Sequence, residues 1–308
     1  VQRPKNMRIY YVGVKPSDLT AKDLILATIG QVGTGIGAGH AIEFAGQAIQ
    51  KLSAEERMTL CNMAVELSAF TGLVEPDNHI IDYVQGRTFS PRGDSWDAAT
   101  QHWQTLRSDA DATFDREYEI DLASIKPQIT WGTSPEHTIA FDEKIPSVKH
   151  AATPTQADAW SLALQYMGLT SGTKLSDYPI DAAFIGSCTN SRLSDLRAVA
   201  NYLLQTKNKV APGVKAICVP GSGGVKRAAE AEGIDRVLTA AGFEWREPGC
   251  SLCFYAGGES FGERARIAST TNRNFEGRQG IGARTHLASP VSVVASACAG
   301  YLTAAEPH

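Results

Sequence analysis

The stretch Ala182-Ala-Phe-Ile-Gly-Ser-Cys-Thr-Asn-Ser-Arg192 decides the fold. Ala182–Ile185 reads as a short apolar strand, Gly186 opens a turn that carries Cys188 and Asn190, and Leu193–Gln205 reads as a helix. The same grammar recurs downstream. Strand Val214–Val219 runs into Pro220-Gly-Ser-Gly-Gly224, which holds Ser222, and then into a helix over Val225–Glu232. Strand Phe243–Trp245 runs into Pro248-Gly-Cys-Ser-Leu-Cys253. Strand Arg266–Ser269 runs into Thr270-Thr-Asn-Arg-Asn-Phe-Glu-Gly-Arg278, and a closing helix begins near Pro290. Strands alternating with helices predict an α/β fold on a parallel sheet with right-handed crossovers. Active groups in such sheets collect outside the carboxyl ends of the strands, so one rim is expected to gather Cys188, Ser222, Cys250 and Asn272-Arg273.

Upstream, Met7–Val12 reads as a strand. Thr20 with Asp23 forms a capping box for a helix over Ala21–Gln31 that buries Leu24, Ile25, Ala27 and Ile29. The glycine run Gly33–Gly39 follows a helix and precedes a strand at Ala41–Gly46. That order is the reverse of a dinucleotide fingerprint and predicts tight turns instead. Ser53 and Glu56 cap one helix expected from Ala54 to about Phe70. On such a helix Asn62 and Glu66 share a face, either as a surface stripe or as a polar pair in which Glu66 moves a proton. Helices are expected over Asp77–Gly86 and Ser95–Leu106, with Trp96 and Trp103 in the core, and a strand over Tyr118–Leu122. Ser108–His150 is rich in loops, crossed by Gln128–Ser134, and broken by three prolines; His137 and His150 are expected in solvent there. The domain boundary is placed in this segment, giving domains 1–126 and 127–308. Pro154–Met167 then reads as a helix capped by Thr153, with proline at its first turn.

With 308 residues, 43% of them hydrophobic, the chain has ample material for core. Its net charge of −4 and lack of a basic run argue against nucleic acid or an acidic membrane as partner. No apolar segment reaches the ~18 residues of a membrane span. Six scattered cysteines do not make a disulfide framework and favour a reducing compartment, the cytoplasm. The chain begins at Val1 with an element that reads as a strand within a sheet, so an N-terminal part is expected to be missing.

The cysteines carry the chemistry. Cys250 and Cys253 form a C-x-x-C pair, and Cys188 lies 62 positions earlier. Three thiolates suit zinc, a redox pair plus a spectator, or three corners of an iron–sulfur cube. Zinc usually wants a fourth ligand, and no further His or Cys stands within ten positions of the pair. Cys61, Cys218 and Cys298 sit in apolar surroundings and read as core thiols. Arg273 and Arg278 offer two guanidinium forks suited to carboxylates, and backbone amides around Ser222 offer a second anion contact.

These motifs resemble the aconitase superfamily, most closely its isopropylmalate-isomerising large subunits. The resemblance rests on Gly186-Ser-Cys-Thr-Asn-Ser-Arg192, Val219-Pro-Gly-Ser-Gly223, Pro248-Gly-Cys-Ser-Leu-Cys253 and Asn272-Arg-Asn-Phe-Glu-Gly-Arg-Gln279. Ile42-Glu-Phe-Ala-Gly46 and Arg57-Met-Thr-Leu-Cys-Asn-Met63 extend it over essentially the whole chain. It implies aconitase-like α/β/α domains with mainly parallel sheets, and a 4Fe-4S cluster on Cys188, Cys250 and Cys253 with one iron open. It further implies Asn62, Asn272 and Asn190 near the cluster and Glu66 on the iron-bound water. Arg273, Arg278 and Ser222 would hold the hydroxy-dicarboxylate. The implied reaction is dehydration and rehydration between 2- and 3-isopropylmalate, a step of leucine synthesis. A small, swivelling-domain subunit would complete a heterodimer and supply the base, so this chain alone is expected to be inactive. After Cys253 the family's usual Leu-Ala-Met-Asn-rich continuation is replaced by Phe254-Tyr-Ala-Gly-Gly-Glu-Ser260. That keeps homoaconitate-, citramalate- or dimethylmalate-type substrates open. Two rivals stand beside this reading: a cluster-sensing RNA binder, which wants a basic cleft, and a zinc-stabilised α/β module.

Overall fold

In a computed structural model the described residues are 2–186, 188–256 and 258–305; Ser187 of the first cysteine turn and Gly257 of the segment after Cys253 lie outside them. The chain divides into two compact units. The first takes the residues up to Ser17 together with Gly35–Ser124, and the second takes Asp18–Thr34 with the chain from Ile125 onward.

The first unit is built on β1 (Lys5–Val12), followed after residues 18–34 by β2 (His40–Ala45), α2 (Gln47–Gln50), α3 (Ala54–Met63), β3 (Thr71–Leu73), α4 (Asn78–Val84), α5 (Asp94–Gln104) and β4 (Arg116–Asp121). Its strands lie in the order β3-β2-β1-β4, all parallel. Alternate residues of β1, among them Met7, Ile9 and Tyr11, are buried, as a strand with one face on the core requires. The single helix expected to reach Phe70 is shorter. It closes at Met63 into a 3-10 turn, Ala64–Leu67, and Ser68 adopts a left-handed φ of 63°. Gly72 sits in β3, where a Cβ would lie 2.8 Å from the Cβ of Ala64 and 2.9 Å from the Cα of Cys61. The chain turns back here because only glycine lets strand and helix approach that closely. No residue of α4 or α5 is buried, which corrects the expectation of a tryptophan core. Trp96 and Trp103 pair edge to face, 5.7 Å between centroids, and both are half-buried.

The second unit starts with α1 (Ala21–Val32), capped by Thr20 through the expected box with Asp23. The other carboxylate oxygen of Asp23 accepts from the Gln128 amide at 2.9 Å, tying α1 to β5 (Gln128–Thr130), which forms a hairpin with β6 (Thr138–Ala140). There follow α6 (Pro154–Met167), β7 (Ala182–Ile185), α7 (Leu193–Thr206), β8 (Lys215–Cys218), α8 (Gly223–Ala231), α9 (Ile234–Ala241), β9 (Phe243–Trp245), β10 (Arg266–Ser269), β11 (Arg284–Leu287) and α10 (Pro290–Ala299). The sheet order is β11-β10-β7-β8-β9, parallel throughout. Ala183, Ile185, Ala216, Cys218 and Ala268 face the helical layer that includes Leu196, Val199, Leu238 and Val293. Their neighbours Ala182, Phe184, Ile217, Val219 and Ile267 face the opposite way and gather Leu252 of the C-x-x-C turn. The same two-residue alternation that builds the core therefore anchors the cysteine turn on the sheet.

His137 is buried, correcting its assignment to solvent: its ring stacks on Trp131 with centroids 4.6 Å apart, and burial lowers its pKa. His150 is exposed, as expected. His286 on β11 is fully buried between Arg266, whose Nη1 donates to its Nε2 at 2.9 Å, and the Thr130 carbonyl, which accepts from Nδ1 at 2.7 Å. Burial first, then the Arg266 charge, pushes its pKa from 6.5 to about 3. The unfolded chain therefore binds a proton that the folded chain refuses between those values, and stability is lost as pH falls through that window. Urea titrations from pH 7 to pH 5 are expected to show this as a slope approaching about 1.4 kcal/mol per pH unit. His286→Gln should reduce it, leaving the smaller part that buried His137 contributes; an unchanged slope in that variant would assign the acid sensitivity elsewhere.

Candidate active site

In the second unit the strand order reverses between β7 and β10, and the loops that leave their carboxyl ends diverge there. In open α/β sheets such a point forms a crevice. Thr270 ties the two loops together: its hydroxyl accepts from the Gly186 amide at 2.9 Å and donates to the Gly186 carbonyl at 2.8 Å. One step on, the Asn272 amide Nδ2 donates to Thr189 Oγ1 at 2.7 Å. On the other side Ser191 Oγ donates to the Val219 carbonyl at 2.6 Å, and the Gly221 amide donates to the Ser191 carbonyl at 2.9 Å. The loop after β8 is thereby fastened to the Cys188 turn.

The C-x-x-C turn is held from the same rim. Gln279, fully buried, donates from Nε2 to the Leu252 carbonyl at 2.8 Å and accepts from Thr285 Oγ1 at 3.0 Å. The Tyr255 amide donates to the Arg278 carbonyl at 2.8 Å. Arg278 Nη2 donates to Cys253 Sγ at 3.7 Å, and its guanidinium lies 4.9 Å from the Phe254 ring centroid and 5.3 Å from that of Phe275. Cys188 and Cys250 are exposed, Cys253 is half-buried, and all three are free thiols. Burial raises the Cys253 pKa, Arg278 opposes that, and Cys250 and Cys188 raise it further. Among the described residues no three His, Cys, Asp or Glu side chains converge closely enough to hold one metal ion.

Of the other residues singled out in the sequence, Asn190 is buried in the Cys188 turn and Arg273 is exposed beside Asn272. Ser222 caps α8, its hydroxyl accepting from the Val225 amide at 3.2 Å, so helix capping takes one of its lone pairs. Asn62 and Glu66 belong to the first unit. Asn62 is exposed at the end of α3, and Glu66, half-buried, stands in the 3-10 turn rather than one α-turn further along a helix. The pair therefore spans the change from α-helix to 3-10 turn, where the winding is tighter than on the continuous helix expected.

Sequence reading missed three residues that hold this rim. Gln279 is one. Asn274 is another: almost fully buried, it donates from Nδ2 to the Gly132 carbonyl at 2.6 Å and to Thr130 Oγ1 at 3.2 Å, pinning the loop after β10 to β5. The third is Lys22, fully buried in the first turn of α1, whose Nζ donates to the Thr271 carbonyl at 2.8 Å; its sequence signal is only a lysine ahead of the apolar Leu24-Ile25-Leu26.

A sequence model of the aconitase family (aconitate hydratase) matches residues 1–300. The chain belongs to the aconitase family. Among curated relatives of this aconitase-family chain is a protein of Bradyrhizobium diazoefficiens named 3-isopropylmalate dehydratase large subunit 1, 54% identical over 299 residues. That match covers 97% of the chain and 62% of the relative, so the chain spans about three-fifths of the relative's length. A protein of Cupriavidus necator named 3-isopropylmalate dehydratase large subunit is 57% identical over 258 residues, 84% of the chain and 96% of that protein. Among solved structures, Thermococcus kodakaraensis aconitase X in its holo-form matches with a TM-score of 0.42 and 13% identity, over 88% of the chain and 50% of that structure. No helix of the described residues is long and apolar enough to cross a membrane.

Proposed function

We propose that the chain is the cluster-bearing part of an iron–sulfur hydro-lyase large subunit that interconverts 2- and 3-isopropylmalate in leucine synthesis. The reading is supported by identities above one half to proteins bearing that name, and by Cys188, Cys250 and Cys253 lying on the loops that leave β7 and β9, with Arg278 donating to Cys253 Sγ. Thiolates gathered on one rim repel, and a polycationic group among them removes that cost. A cube takes one thiolate at each of three irons, so the sulfurs need not converge as they would on one ion. The donor set fits a 4Fe-4S cluster on this ground.

When bound, the cluster supplies a Lewis acid that makes hydroxide a tolerable leaving group. The protein's own residues do the rest. Arg273, exposed at the rim, and the part of Arg278 not engaged with sulfur present guanidinium N–H groups to substrate carboxylates, each charge-assisted bond contributing about 1.5–3 kcal/mol. Ser222 keeps its hydroxyl proton for an anion, since capping uses it as acceptor. Asn272 and Asn190 line the Cys188 turn and orient it. Glu66, supported by Asn62, takes or returns the proton of the departing water. A small subunit contributes the base that removes the C–H proton, and the pair is cytoplasmic.

Anaerobic reconstitution with iron and sulfide tests the reading. Expected are a brown protein and, with a co-expressed small subunit, turnover of isopropylmalate ahead of citramalate, homoaconitate and dimethylmalate. Stoichiometric zinc without colour would overturn it.

A further inference from the structure

We infer that the first unit binds a phosphate group, free or esterified, in a cavity at the amino ends of its strands. The cavity has a volume of about 320 Å³, within the roughly 300–1,000 Å³ typical of small-ligand pockets. Lys5 opens β1, His40 opens β2, Arg116 opens β4, and Arg3 stands two residues ahead of β1. The strands are parallel, with β1 between β2 and β4, so their first residues come to one edge of the sheet. Arg3, Lys5, His40 and Arg116 all line the cavity, and no Asp or Glu is among its described lining residues. The site shares no residue with the cysteine rim of the second unit.

These charges are uncompensated. Among the described residues no carboxylate forms an ion pair with Arg3, Lys5 or Arg116. The acids that flank Arg116 are engaged elsewhere: Asp115 accepts from the Asn6 amide at 2.9 Å and Glu117 from Arg8 Nη2 at 2.8 Å. Arg116 Nη1 donates to the carbonyl of Ile36, in the glycine run, at 3.3 Å, and the rest of its fork has no acceptor among the described residues. His40 is 4% exposed. Its Nδ1 lies 2.8 Å from the Ala38 carbonyl oxygen, which can only accept, so Nδ1 carries a proton. Its Nε2 is buried with no hydrogen-bond partner among the described residues. A buried polar atom in that state is a cost that a ligand in the cavity can remove. One guanidinium fork already fills the two oxygens of a carboxylate, whereas donors from four points of the chain suit the additional oxygens of a phosphate. Phe70, exposed at the cavity wall, adds an apolar surface for the organic part of an ester.

Equilibrium dialysis of the purified chain against inorganic phosphate at low salt is expected to saturate at one phosphate per chain. Arg3 and Arg116 are exposed, so Arg3→Gln and Arg116→Gln should keep the wild-type urea midpoint while each weakens binding about five- to tenfold. Lys149→Gln, the same loss of charge at an exposed site of the second unit, should leave binding unchanged. Arg273→Gln should leave it unchanged too. Phenyl phosphate that binds tighter than phosphate, with the advantage lost in Phe70→Ala, would make the ligand an ester; equal affinities in the wild-type chain would make it the free anion. Wild-type affinity in both Arg3→Gln and Arg116→Gln would overturn the site, and loss of binding in Arg273→Gln would move it to the rim of the second unit. Malonate binding as tightly as phosphate would overturn the choice of phosphate over carboxylate.

Discussion

Cys188→Ser is expected to leave the reconstituted protein colourless and to abolish hydro-lyase turnover in the presence of the small subunit. Serine is a hard, weakly acidic oxygen donor, whereas iron–sulfur clusters are held by soft thiolates. The effect should far exceed that of any neighbour in contact with a ligand, for which losses of about 10- to 100-fold are typical. The informative control is Cys298→Ala. Burial pushes the pKa of Cys298, like that of Cys61, up to about 11, so both remain neutral thiols at working pH. Cys218, wholly buried, is pushed in the same direction. Cys188 and Cys250 are exposed at the rim instead. Absorption spectra after anaerobic reconstitution decide the matter. Colour that survives in Cys188→Ser, or that vanishes equally in Cys298→Ala, would break the assignment of the ligands.

The largest loss of stability is expected from Gly46→Ala in the first unit. Gly46 follows β2 with φ at +117°, outside the conformations open to L-residues with a side chain. A Cβ there would also fall inside van der Waals contact of the Tyr11 carbonyl oxygen, and 3.1 Å from both the carbonyl carbon and the amide nitrogen of Tyr11. Those atoms belong to β1, the strand that pairs with both β2 and β4, and so cannot step aside as a flexible side chain would. Conformational strain and steric overlap add, and the expected cost is about 4 kcal/mol or more. Chemical denaturation of the purified variant should show a lowered midpoint or no folded baseline. Gly249→Ala makes the contrast, since a Cβ there meets nothing within 4 Å. Equal midpoints for the two variants would refute the steric account.

Much of the second unit was legible because its strands are short apolar runs bounded by turn residues. β7, β9 and β10 fall where the sequence puts them, as do α6 and its Thr153 cap. Others were not, β11 and α9 among them. β11, Arg284-Thr-His-Leu287, is buried yet half polar, because His286 is satisfied by Arg266 and Thr130 across the sheet rather than by anything nearby in sequence. α9 carries apolar residues at helical spacing, Ile234, Val237, Leu238 and Ala241, but is only eight residues long between Gly233 and Gly242. In the first unit, the run from Ala54 to Phe70 suits a continuous helix by composition. It gives way at Met63 to a 3-10 turn that ends on left-handed Ser68, and Gly72, lacking a Cβ, then admits β3 against Ala64 and Cys61.

By itself, the sequence determined the repeating strand-turn-helix order, the helix caps, and the placing of Cys188, Cys250 and Asn272-Arg273 after strands, since these depend on local pattern and turn chemistry. Only the tertiary structure decided that Arg278 turns onto Cys253, that Gln279 and Asn274 brace the rim, and that a buried lysine from α1 holds the loop beside Cys188. Each of these joins residues far apart in the chain, and whether a polar side chain is buried with its partners is settled by what packs around it, not by its neighbours in sequence.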